Sequence, residues 1–121
     1  MAELAEHCNV IEECYEFMLA YAAQGVADGT EIRDYLSRAA QSLSGLSAIA
    51  REELDSTFLA VLDRDAADAL AAVELVLAQS AISSQLIDNL NASIHLRALL
   101  TDLFLIDEVL KAQQQKRIIA S

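Results

Sequence analysis

The side chains able to carry chemistry are few: two histidines, two cysteines and some neighbouring carboxylates. Di-metal sites in helical bundles use Glu-x-x-His pairs on two helices with two further glutamates. Here the residue three before His7 is Leu4, and the residue three before His95 is Ala92, so that pattern is absent. Glu3-x-x-x-His7 is one pair at helical spacing, too little for a metal site on its own. His95 lies in a band of polar residues, Asp88, Asn91, His95 and Asp102, which forms the one candidate polar site. The simpler reading of that band is a solvated stripe, and of His7 a half-buried residue at one end of a bundle. In an antiparallel fold the helical rise of about 1.5 Å per residue puts the two histidines roughly 20 Å apart, so one chain cannot bring them into one site. No metal or cofactor is expected.

Nucleophilic chemistry fares no better. The chain has no Gly-x-Ser-x-Gly, no Cys/His pair with a plausible third member and no glycine-rich phosphate loop. The paired carboxylates Glu12-Glu13, Asp63/Asp65 and Asp107-Glu108 fall on expected outer faces, where solvated charge is the default. His95-Leu96-Arg97 faintly resembles the histidine phosphotransfer modules, helical bundles in which a basic residue closely follows an exposed histidine. The resemblance implies a phosphoryl carrier, but the Lys-Gly usual after that histidine is missing and His95 sits on the last helix. An enzyme is therefore the less favoured class.

Composition narrows the remaining classes. A formal net charge of −11 argues against nucleic acid and against anionic membrane surfaces, both of which select Lys and Arg. It suits a well-solvated protein, or one with a basic partner. The first residues, Met-Ala-Glu-Leu-Ala-Glu-His, are acidic and lack the apolar run of a signal peptide, and no window is long and uncharged enough to span a bilayer. Cys8 and Cys14, six apart on one expected helix, point well away from each other around the axis and are expected to stay reduced. A cytoplasmic setting follows as the expectation.

The elements that would position these residues are helices throughout. Ala and Leu dominate, proline is absent, and alternating strand patterns are not found. Residues 1–121 are expected to form a single domain with helices over about 3–24, 31–53, 57–79 and 83–112. The inner stripe of the first is Leu4, Cys8, Ile11, Tyr15, Met18 and Ala22. Gly25 is a natural stop, and Asp28 or Thr30 can cap the second helix. That helix holds Ile32, Tyr35, Leu36, Ala39, Leu43, Leu46, Ala50 and Leu54 in one phase. Gly45, away from the stripe, implies either a bend or a close neighbour. Asp55-Ser56 offers caps for the third helix, whose stripe runs from Phe58 to Leu77, and Ser83 or Ser84 caps the fourth. Short loops make successive helices antiparallel, so the expected fold is all-α, an up-down-up-down four-helix bundle.

The last helix is apolar on two sides. Ala92, Leu96, Leu99, Leu103, Ile106 and Leu110 step by four and three, the spacing of an a/d seam. Ile87, Ile94, Ala98, Leu105 and Val109 lie roughly opposite, at about 100° per residue. A helix with two apolar faces needs two buried faces. The bundle supplies one, and a second copy of the chain is expected to supply the other. The favoured function is thus a non-catalytic interaction or assembly module, a homodimer through the last helix. A different protein could cover the same strip. The alternatives are a chaperone-like carrier for an export or assembly substrate, and a metal- or cofactor-binding bundle or small enzyme. Past Leu110, Gln113 to Arg117 reads as a fraying tail whose basic residues suit a helix C-terminus.

Overall fold

The structure, a computed structural model, describes residues 2–24 and 30–120, with side chains described over 4–23 and 31–116. The described residues form helices α1 (Ala2–Gln24), α2 (Thr30–Glu53), α3 (Leu59–Leu77), α4 (Ser84–Ala92) and α5 (His95–Ala120). None is long and apolar enough to cross a membrane. The expected stop at Gly25 and the Ala27–Thr30 turn lie outside what is described.

The three expected stripes of α1 to α3 are the faces that pack. Ile11 and Met18 of α1, Ile32, Leu36 and Leu46 of α2, and Leu62 and Val73 of α3 are fully buried. They meet in one apolar cluster with Ile82, Ile87 and the inner face of α5. Helix α2 packs against α1 and α3, α5 against α3 and α1, and α4 against α1. Cys14 and Tyr21 widen the α1 stripe and are buried too. The Tyr21 hydroxyl donates to the Ile82 carbonyl at 2.5 Å, tying α1 to the segment between α3 and α4.

Caps at the helix ends are partly those the sequence suggests. Ser83 Oγ accepts from the Leu86 N–H at 3.1 Å and starts α4. Ser56 Oγ accepts from Phe58 N–H, and a turn over Ser56–Phe58 delays α3 to Leu59, two residues later than expected. At the other end of α3, Arg33 reaches across from α2 and donates to the carbonyls of Leu77 and Gln79, both at 2.8 Å. A cation that satisfies terminal carbonyls also offsets the negative end of the helix dipole. Gly45 lies inside a continuous α2, so it marks no break. Its neighbour is His7, and a methyl added at Gly45 would stand 3.6 Å from His7 Cε1, an ordinary contact.

The expected fourth helix is two helices, and this corrects the sequence reading. The chain breaks at Ser93–Ile94, where Ile94 has φ of 64°. The reason lies in the phases of the apolar residues. The pair Ile87 and Leu90 and the pair Leu96 and Leu99 have centres nine residues apart, which at about 100° per residue is half a turn out of phase. One straight helix cannot turn both pairs to the same core. The break does so, and all four are buried. Ser93 Oγ donates to the Leu90 carbonyl at 2.6 Å and the Ile94 carbonyl accepts from Ala98 N–H at 2.8 Å, so both helix ends are closed locally. Ala92, expected on the seam, falls on the exposed side of α4. Helix α5 also runs eight residues beyond the expected end at 112, through the stretch read as a fraying tail.

A left-handed backbone at a β-branched residue is costly, about 1–2 kcal/mol. The Ile94 side chain is 53% exposed and returns little by burial. Ile94→Gly is therefore expected to stabilise the protein by about 0.5–1 kcal/mol, the strain relieved being partly offset by glycine's freedom when unfolded. Urea denaturation measures this directly. A loss of stability would mean that the Ile94 side chain holds the junction.

Candidate interaction surface

The two apolar lines of the last helix have different fates. On the seam, Leu96, Leu99, Leu103, Ile106 and Leu110 are all buried, joined by Leu100, which neither line includes. On the opposite line, Ile87 is wholly buried in the core, so it cannot belong to an outer face; the break at Ile94 turned it inward. Ile94 itself is exposed at the junction, and Ala98 is half-buried. Leu105 and Val109 remain on the outside, 52% and 39% exposed. Phe104, 45% exposed, stands beside them and was not anticipated, because it belongs to neither heptad line. The surviving outer face is thus Leu105 and Val109, flanked by Phe104, with Thr101 and Glu108 exposed around it.

The polar band does not exist as one surface. Asp88 is exposed on α4. Asn91 turns toward α1, where its Nδ2 donates to the Met18 carbonyl at 3.4 Å. His95 is exposed at the start of α5 and lines a groove between α3 and α4. Asp102 is buried, contrary to the solvated stripe expected of it. It lies against Asp65 of α3, and burial, a hydrogen bond to Asp65 and the Asp65 charge push its carboxyl up to about 7. One of its oxygens, Oδ2, is buried without a hydrogen-bond partner. The break in the helix again accounts for the dispersal, since residues on either side of it no longer share a phase.

His7 is pinned to α2, with Nδ1 3.0 Å from the Ser42 carbonyl, an arrangement in which Nδ1–H donates. It therefore faces α2, while His95 faces the α3–α4 groove. Among the described residues no three His, Cys, Asp or Glu side chains gather in a group that could hold a metal ion.

Grooves flank the core. One, about 590 Å³, opens between α1 and α5 over Leu4, Leu103, Phe104 and Leu110, with Glu12 and Asp107 on its walls and Cys8 within it. Another, about 530 Å³, opens between α3 and α4 over Val76, Leu86 and Leu90, with Leu75 67% exposed. Both have the apolar lining of binding clefts. The thiol in the first, Cys8, has carboxylates rather than a histidine beside it.

Cys8 and Cys14 are both free. Burial, then the charges of Glu12 and Asp107, push the Cys8 thiol up. Burial pushes Cys14 up to about 12, against a lowering effect of Arg38. The thiolate is the reacting form, so both should be sluggish. Ellman's reagent at pH 8 is expected to modify Cys8 slowly and Cys14 only after unfolding by denaturant. Rapid modification of both in the native protein would show that α1 is not packed as described.

Comparison with protein-family models, with curated proteins and with solved structures finds no match.

Proposed function

We propose that this protein is a non-catalytic protein–protein interaction or assembly module. In this reading it is an acidic antiparallel bundle, with α4 and α5 together taking the place of a fourth helix, and it forms a homodimer through the outer face of α5. The observation that carries the reading is the exposure of Phe104, Leu105 and Val109 on one stretch of a helix whose inner face is already buried. Each is already about half covered, so full burial gains each roughly half of the 1.5–3 kcal/mol that a wholly exposed side chain would gain. An apolar strip with polar residues around it has the form of an interface, and self-pairing about a two-fold axis is the commonest arrangement. Sedimentation equilibrium across a wide concentration range tests it. The wild type is expected to dimerise and Leu105→Lys to be a folded monomer. A wild type that stays monomeric at high concentration would remove self-association.

A second reading, a carrier for another protein, is favoured by one observation: Leu75 stands exposed over the groove between α3 and α4, far from the α5 strip in sequence and on other helices. In that reading Leu75→Lys abolishes partner binding and leaves the self-association of α5 unchanged.

A further inference from the structure

Helix α1 is covered unevenly. Asn91 Nδ2 of α4 donates to the Met18 carbonyl, and the Tyr21 hydroxyl donates to the Ile82 carbonyl, so α4 and the segment before it cover the C-terminal half of α1. Helix α4 has only nine residues, about 14 Å at 1.5 Å per residue. Leu4 lies about 21 Å back along α1 from Met18. Around Leu4, α1 and α5 are the walls of a groove whose floor is Leu4, Leu103 and Leu110.

The groove has the dimensions of a helix seat. It follows α1 from Leu4 to Glu12 and α5 from Leu103 to Lys111, each about 12 Å or roughly two helical turns. The floor is apolar, and on the walls Ala5 and Phe104 are exposed and Cys8 is half-buried. The rim is acidic. Glu12 stands at one end of the α1 wall, Asp107 lies on α5, and Glu53 enters from the end of α2. Among the described lining residues Lys111 is the one basic side chain, and it is paired with Asp107 at 2.9 Å. The negative field reaches inside, since the charges of Glu12 and then Asp107 add to burial in pushing the Cys8 thiol up.

An apolar trough with an acidic rim selects an apolar face with basic flanks. A second copy of this chain does not bring one. Its exposed Leu105 has Glu108 one turn on, and its exposed Leu75 shares a groove with Asp68. Self-docking would set acid on acid, and the formal net charge of −11 likewise draws a basic partner. We propose that the groove between α1 and α5 binds an amphipathic, basic helix of a different protein, laid along the half of α1 that α4 leaves open. Its apolar side chains, at i, i+3, i+4 and i+7, rest on Leu4, Leu103 and Leu110 and against Phe104. Its Lys or Arg side chains meet Glu12 and the other rim carboxylates. The proposal stands apart from the dimer, because Leu105 and Val109 do not line this groove.

The probe is a synthetic peptide of about 15 residues, long enough to be helical, with leucine on one helical face and lysine on the rest. Titrated into the full chain by fluorescence anisotropy, it is expected to bind, and its counterpart with glutamate for lysine is not. Glu12→Lys should weaken binding about tenfold, whereas Asp88→Lys, the same charge change on the exposed face of α4, should weaken it less than about twofold. Ala5→Trp fills the groove from an exposed position, so it should block the peptide without disturbing the core, whatever Glu12→Lys does to folding. Saturating peptide should slow alkylation of Cys8 by iodoacetamide about tenfold or more, because the thiol lies beneath it. Equal losses from Glu12→Lys and Asp88→Lys would reduce the effect to net charge and overturn the site. So would an unprotected Cys8, binding that Leu75→Lys rather than Ala5→Trp abolishes, or no binding at all. Protection of Cys8 that rises with protein concentration alone would put a second copy in the groove and overturn the proposed partner.

Discussion

Leu99→Lys leaves no folded protein at neutral pH, whereas Leu105→Lys leaves a chain as helical as the wild type. The two residues are six apart on α5 and differ in what surrounds them. Leu99 is fully buried among the side chains of the common core. Losing a buried leucine's contacts costs about 2–5 kcal/mol, and an ammonium left among apolar groups adds several more. A domain of this size has a net stability of only about 5–15 kcal/mol, so the sum exceeds or nearly exhausts it. Leu105 is more than half exposed, and a lysine there changes the monomer's stability by no more than about 0.5 kcal/mol. Leu103, also buried, is a poorer test than Leu99. It lines the groove between α1 and α5, where a lysine stem can lie along the apolar wall and bring its charge toward Glu12 or Asp107. Far-UV circular dichroism and urea denaturation of the three variants should rank them Leu99→Lys, Leu103→Lys, Leu105→Lys in decreasing damage. A Leu99→Lys protein that melts within a few degrees of the wild type would mean that the inner seam of α5 is misplaced.

The seam was readable because heptad spacing within one continuous helix survives folding unchanged. Leu96 to Leu110 keep one phase and pack as one face, as do Ile32 to Ala50 on α2. The break at Ser93–Ile94 was not readable in the same way. Neither glycine nor proline marks it, and the residue in the left-handed conformation is an isoleucine, among the least suited to it. The signal was present in another form. Two apolar lines half a turn apart imply a second covering surface, and for Ile87 the molecule supplies it by bending. Ile94 at the break, and Leu105 and Val109 beyond it with Phe104 beside them, stay outside. Helix capping by Arg33 and the burial of Asp102 depend on helices distant in sequence, so no local pattern announces them.

The burial of Asp102 makes stability depend on pH in an unusual direction. Its carboxyl is inside the protein, against Asp65, and is held up to about 7, with burial the first cause and the neighbouring carboxylate the second. In the unfolded chain it titrates in the ordinary aspartate range, near 3.9. Between those values the folded state binds a proton that the unfolded state does not. Folding is then favoured at low pH, and this contribution is lost as pH rises from about 4 through 7. The protonated carboxyl donates to Asp65; once ionised, two negative charges face each other in a poorly solvated place. The full loss is at most about 4 kcal/mol, from roughly 1.4 kcal/mol per pH unit. Asp63 works the other way, since hydrogen bonds from Ser47 and Arg51 hold its carboxyl down, so the wild-type profile alone mixes opposing effects. Asp102→Asn separates them. The amide keeps the size of the carboxyl, donates to Asp65 at every pH and never ionises. The variant and the wild type are expected to have similar melting temperatures near pH 4.5, and the variant's advantage should grow with pH to roughly 10 °C at pH 8. Asp65→Asn should give part of the same gain, by removing the facing charge while leaving the burial of Asp102. An Asp102→Asn advantage that does not change between pH 4.5 and 8, or a variant less stable than the wild type at pH 8, would show that Asp102 is ionised and hydrated in the folded protein.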